Sequence, residues 1–193
     1  MGSILLASAG ATAWDEEGRL QGSRSVPLSL HGREKMQEIA GQILEMPVCA
    51  VYTGQSRHCL ESARILAQGG RKPPVRCLGS LSEVNQGLWE GLRIEELERQ
   101  YARAYRAWLH SPSTVRPPQG ETIAQAYDRV RTALAGLARR HRQELVAIVA
   151  PRLLSALIQC CLRGLGPDSV WQIYREDTTW EILSVPTSFV GRA

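Results

Sequence analysis

Reactive side chains are sparse in this sequence, and where they adjoin decides which chemistries are open. His58 and Cys59 stand side by side, an imidazole and a thiol that in contact would make a base and its nucleophile. Both fall in a stretch expected to be helical, where neighbours at i and i+1 point apart, so the spacing weakens the pair. The other cysteines are Cys49, Cys77, Cys160 and Cys161. No CxxC pair and no regular His/Cys spacing connects them, which argues against a zinc site; no metal and no cofactor is expected. They read as reduced small hydrophobes, above all Cys160 and Cys161 in an apolar helical run. His31, His110 and His141 fall in predicted helices or at their ends and read as surface residues rather than ligands. The basic cluster Arg139–Arg142 closes a long predicted helix, where cations complement the negative end of the helix dipole.

Composition narrows the partners. The chain has 193 residues, 44% hydrophobic and 22% charged, with a formal net charge of +4. That length suits one α/β domain over 1–193 with a substantial core. The mild basic excess favours anionic ligands, but Lys and Arg are scattered and form no stripe with interleaved aromatics, so no nucleic acid is expected. No apolar run approaches the roughly 18 residues of a membrane span, and no membrane association is expected. No basic segment precedes the short apolar run Ile4–Ala7, so the start reads as a first strand rather than a signal peptide, and a cytoplasmic location is expected.

Short apolar strands alternate with helical patterns, the α/β signature. Strands are expected at Ser3–Ala7, Val48–Tyr52, Val75–Leu78, Leu145–Val149, Val170–Tyr174 and Trp180–Val185. Helices are expected from about Leu30 to Met46 before Pro47, over Ser56–Ala67, over Ile94–Leu109, from Thr122 onward, and from Pro151 to Leu162. Gly69–Gly70 and Pro73–Pro74 mark a loop. No repeat, low-complexity tract or interdomain linker interrupts the pattern.

Five stretches, in order, resemble the phosphoglycerate-mutase-like branch of the histidine phosphatase superfamily. They are Leu6–Asp15 with the loop Gly18-Arg19-Leu20-Gln21-Gly22; Val51-Tyr52-Thr53-Gly54 with Glu61-Ser62-Ala63; Leu81–Leu92; Pro118–Thr122; and Leu145–Val149 followed by Ala150-Pro151-Arg152. The resemblance spans about residues 4–163 and implies a three-layer α/β/α fold with a mostly parallel central sheet flanked by helices.

It also implies a chemistry. In the family a histidine at the end of the first strand attacks phosphorus, two arginines and a second histidine hold the phosphoryl oxygens, and a glutamate protonates the leaving oxygen. Phosphoryl transfer rests on positioning and charge stabilisation, so an attacking atom and cations are its irreducible parts. Carried over residue by residue, the nucleophile position is Ala9, the arginine before it is Ser8, and the second histidine is Pro151. The second arginine falls at His58 or, shifted by one, at Arg57, and only the acid position, Glu83, keeps its identity. The residues shaping the loops, Gly10, Thr12, Gly87, Trp89 and Gly91, remain.

The expectation is therefore a catalytically inactive relative serving as a binding or regulatory module. Its partner would be a small anionic or phosphorylated ligand, held in a cleft lined by Thr12, Arg19, Arg57 and Arg152, or another protein. Two alternatives stay open. One is a phosphatase or phosphomutase using His58 as nucleophile and Glu83 as acid; the other is a thiol chemistry at Cys59 on the same scaffold.

Overall fold

The first strand, β1 (Ser3–Ser8), sends Ile4 and Leu6 to one face and Leu5 and Ala7 to the other, all buried. A strand apolar on both faces must be covered on both, which is the condition for a parallel sheet between helical layers. The computed structural model describes residues 2–69 and 71–190; Met1, Gly70 of the expected Gly69–Gly70 turn, and 191–193 lie outside that range. Helices α1 (Ala13–Glu16), α2 (Leu30–Gln42) and α3 (Arg57–Ala67) accompany β1, β2 (Val48–Thr53) and β3 (Val75–Cys77). Then come α4 (Ile94–Gln100), α5 (Ala102–His110) and α6 (Ile123–Arg140), β4 (Leu145–Ala150), α7 (Arg152–Leu162), α8 (Val170–Arg175), β5 (Trp180–Ser184) and α9 (Thr187–Val190).

The sheet runs β3-β2-β4-β1-β5, with β1, β2, β3 and β4 parallel and β5 antiparallel at the edge. Met36, Ile39, Ala63 and Leu66 of α2 and α3 cover one face, while Val130, Leu134, Leu154 and Leu157 of α6 and α7 cover the other. This is the expected three-layer architecture.

Two segments differ from the sequence expectation. Val170–Tyr174, read as a strand from its β-branched and aromatic residues, is the helix α8. A 3-10 turn over Pro167–Ser169 leads into it, and the three-residue spacing of buried Val170 and Ile173 matches a helical period rather than alternation. The stretch Ile94–Leu109, read as one helix, breaks at Tyr101, whose backbone (φ −124°, ψ 29°) leaves the helical region between α4 and α5.

The site's place follows from topology. After β1 the chain crosses to the α2–α3 layer, and after β4 to the α6–α7 layer, so the carboxyl ends of these adjacent strands face a crevice at the switch point. Two glycines let the crevice form. A Cβ on Gly10 would collide with the carbonyl oxygen of Gly32, and one on Gly32 with that of Ala11, so the start of α2 closes on the loop after β1 only without side chains there.

Candidate functional site

A cleft of about 650 Å³ opens at the ends of β1 and β4. Its floor is Ser8, Ala9 and Gly10 from the first strand and Pro151 from the β4–α7 junction. Hydrogen bonds from main-chain N–H groups fix this floor. Ala9 N–H donates to Ala150 O at 2.8 Å, extending the β1–β4 ladder, and Gly10 N–H donates to the buried Ser62 Oγ at 3.0 Å. Pro151 is the N-cap of α7 rather than its first helical residue, with φ −59° and ψ 157°. The side chains presented to the cleft are thus a hydroxyl, a methyl and a pyrrolidine ring.

His58 enters from the first turn of α3 and is only 3% exposed. Gln21 Nε2 donates to its Nδ1 at 2.7 Å and also to Arg24 O at 3.2 Å, while Gln21 Oε1 accepts from Thr12 Oγ1 at 3.1 Å. These bonds orient the amide and place the imidazole proton on Nε2, which lies 3.4 Å from Cys59 Sγ. Contrary to the expectation that helix neighbours diverge, the ring reaches its neighbour's sulfur. The contact does not activate the thiol, because Cys59 is fully buried and burial pushes its pKa up to about 12. Burial likewise lowers the pKa of His58 to about 4, against opposing pulls from Asp15 and Glu61, so the imidazole is neutral at pH 7.

Glu83 lines the same cleft. The residue is half-buried, and loss of solvent around its carboxyl pushes its pKa up to about 7, held back by the backbone N–H groups of Val84 and Leu153 and by Arg129. Val84 N–H donates to Glu83 Oε1 at 2.8 Å, and Leu153 is in the first turn of α7. A carboxyl whose pKa lies near neutrality can donate or accept a proton there. Close by, Gln86 is buried, lines the cleft, and leaves its Oε1 without a hydrogen-bond partner among the described residues.

The cations are mostly engaged. Arg152 pairs with Asp177 at 2.9 Å and lies over the Tyr174 ring at 4.3 Å. Arg19 pairs with Glu17 at 2.6 Å and donates to Gly91 O at 2.9 Å, tying two loops together at the rim. Lys35 pairs with Glu38 at 2.9 Å, whereas Arg175 has no acidic partner among the described residues.

Ser8, Ala9, Arg19, His58, Glu83, Pro151 and Arg152 therefore converge on one cleft. Two expected residues do not line it. Thr12 is buried and caps α1, its hydroxyl bonded to Asp15 and Gln21. Arg57 is exposed beside Glu61, at 2.8 Å, so it is His58 and not Arg57 that takes the inward position at the start of α3. Sequence reasoning missed the far wall: Tyr105 and Trp108 of α5 face Trp171 and Tyr174 of α8, with Trp108 and Trp171 edge to face at 4.5 Å. Reading Val170–Tyr174 as a strand hid half of this wall.

Comparison with known proteins adds ancestry to the geometry. Phosphoserine phosphatase 1 of Hydrogenobacter thermophilus is 22% identical over 183 residues, covering 95% of this chain and 86% of that one. Phosphoglycerate mutase-like protein 4 of Arabidopsis thaliana is 30% identical over 148 residues, covering 76% of this chain and 64% of that longer one. Among solved structures, Bacillus stearothermophilus YhfR superposes with a TM-score of 0.83 at 26% identity, covering 89% of this chain and 84% of that one. The profile of the histidine phosphatase superfamily (branch 1) matches residues 4–188, nearly the whole of the sheet and both helical layers, and this chain belongs to that superfamily.

Proposed function

We propose that this chain is a non-hydrolysing member of its superfamily whose cleft binds a small organic anion, phosphorylated or carboxylated. One observation carries the reading: where the family resemblance places the attacking histidine, the floor of the cleft has the Ala9 methyl, and the neighbouring Ser8 hydroxyl donates to Thr178 O at 3.4 Å with no base bonded to it among the described residues. Of the two imidazoles lining the cleft, His31 is exposed at the start of α2, and His58 has Nδ1 occupied by Gln21 and Nε2 carrying its proton toward Cys59. A neutral ring with both nitrogens engaged supplies neither a nucleophile nor a phosphate-binding cation. Loss of a nucleophile costs an enzyme up to about a millionfold in rate.

What remains suits binding. Arg152 and Arg175 give the rim positive charge, and protonated Glu83 donates a hydrogen bond to an anion while Gln86 Oε1 accepts one from a hydroxyl or ammonium group. The aromatic wall accepts a flat or apolar body beside the charged group.

A second reading, a phosphatase with non-standard groups, has one feature in its favour: burial pushes the Glu83 pKa up to about 7, where a general acid works best. The two are separated by assaying phosphate release from phosphoserine, 3-phosphoglycerate and para-nitrophenyl phosphate, alongside the melting temperature with the same compounds and with aromatic carboxylates. Binding without turnover is expected: a higher melting temperature with at least one anion and release at the rate of the buffer blank. Release that disappears in both His58→Ala and Glu83→Gln would overturn the proposal in favour of the phosphatase. No thermal response to any of these anions would overturn the ligand itself.

A further inference from the structure

We propose that Cys49, His141 and Glu144 form a binding site for a divalent cation of the zinc class, at the end of the sheet opposite the cleft. Cys49 is the second residue of β2, His141 is the C-cap of α6, and Glu144 immediately precedes β4. All three thus gather where the parallel strands begin, whereas the cleft lies where they end. Sequence spacing could not show the site, because Cys49 is 92 residues from His141 and the pairing of β2 with β4 alone makes them neighbours.

The donor set is a thiol, an imidazole and a carboxyl, the ligand types that zinc takes. Their ligand atoms all lie within 4.8 Å of one another. Cys49 Sγ is 3.7 Å and Glu144 Oε2 is 2.6 Å from the same nitrogen, His141 Nδ1. That shared target matters. A catalytic relay would place thiol and acid on different ring nitrogens, whereas two groups converging on one nitrogen surround a common point.

Tetrahedral zinc, with Zn–S of about 2.3 Å and Zn–N or Zn–O of about 2.0–2.1 Å, sets the S–N separation at about 3.6 Å and the N–O separation at about 3.3 Å. The first is already met. The second needs the Glu144 carboxylate to retract by less than an ångström, and that side chain is 53% exposed and free to do so.

The imidazole is also held from behind. Without an ion, Nδ1–H donates to the Glu144 carboxylate and the Tyr52 hydroxyl, 2.8 Å away, donates to Nε2; an arriving cation would displace the Nδ1 proton, and the ring would then carry its proton on Nε2 and donate it to the phenol oxygen. The Tyr52 ring packs edge-on to the imidazole at 5.6 Å, and His141 is only 11% exposed, so the ring is held before any ion arrives. Three protein ligands with one side open leave room for water as the fourth. The ion would staple β2 to the turn between α6 and β4.

The test uses the full chain after treatment with a chelator. Titration with Co²⁺ is expected to give a thiolate-to-cobalt charge-transfer band that saturates at one equivalent, unchanged in Cys77→Ser, which removes the exposed thiol. Cys49→Ser should abolish the band, and Tyr52→Phe should weaken binding about 10- to 100-fold by releasing the imidazole. Zn²⁺ should raise the melting temperature of the wild type and not that of Cys49→Ser. Should Cys49→Ser not fold, Glu144→Gln at an exposed position replaces it and should lower Co²⁺ affinity at least tenfold. Absence of the band in the wild type, its survival in Cys49→Ser, or unchanged affinity in Glu144→Gln would overturn the site.

Discussion

The floor and the far wall of the cleft are built on opposite principles. At the floor, position is set by main-chain groups of the floor residues themselves: Ala9 N–H on Ala150 O, Gly10 N–H on the side chain of buried Ser62, and the Pro151 cap. No side chain of Ser8, Ala9 or Pro151 is needed to hold that geometry. The wall is made by side chains that hold one another, with Trp89 against Trp108 at 5.6 Å, Trp108 against Trp171 at 4.5 Å, and Trp171 against Tyr174 at 5.6 Å. The difference means that a change of side chain at positions 8, 9 or 151 should leave the fold intact. A floor drawn by backbone tolerates a change of chemistry that a wall drawn by side chains would not.

That contrast can be broken by mutation. Trp108 is 3% exposed and joins the core to the wall, so Trp108→Ala should lose about 3–5 kcal/mol of stability in urea denaturation. A loss below about 1.5 kcal/mol would mean the wall is not self-supporting.

His58 gives the next largest effect. Its pKa falls from 6.5 to about 4 on folding, so the unfolded chain takes up a proton first as pH drops. Stability present above pH 6.5 should therefore be lost as pH falls through 4, by about 3 kcal/mol at this residue. His58→Gln should flatten that slope, and an unchanged acid profile would show the ring is solvated.

Glu83 follows, through ligand affinity. Because its protonated form favours an anion, affinity for sulfate or a carboxylate should fall as pH rises through about 7, by up to about tenfold per unit. Glu83→Gln should make that affinity independent of pH between 6 and 8. Arg57 should matter least. It is exposed and Glu61 also takes Arg33 at 3.0 Å, so Arg57→Ala should cost no more than about 0.5 kcal/mol and leave anion binding as it was.

Much of this was legible in the sequence, for physical reasons. The apolar runs of β1, β2 and β4 are long and unambiguous, and the helical periods of α2, α3, α6 and α7 match the faces they bury. The resemblance to the histidine phosphatase family, carried over residue by residue, put Ser8, Ala9, Glu83 and Pro151 in one crevice, and the structure does the same. What escaped depends on tertiary contact. Val-Trp-Gln-Ile-Tyr has strand-like composition, and only its packing beneath α7 makes it α8, so Trp171 and Tyr174 went unseen as cleft residues. The inward turn of His58 rather than Arg57 is a rotation of one residue about α3, which spacing alone could not fix. At the end of a predicted helix His141 reads as a surface residue, yet Tyr52 and Cys49 lie against its ring.

The chain of aromatic contacts has one more consequence. Trp108 and Trp171 line the cleft and touch each other, and Trp89 joins them from the core. Excitation absorbed anywhere along this row passes readily to the indole beside an arriving ligand, so occupancy should register as a change in intrinsic fluorescence. The molecule thus carries its own optical gauge of whether the cleft is filled, and a search for its ligand can begin without a label.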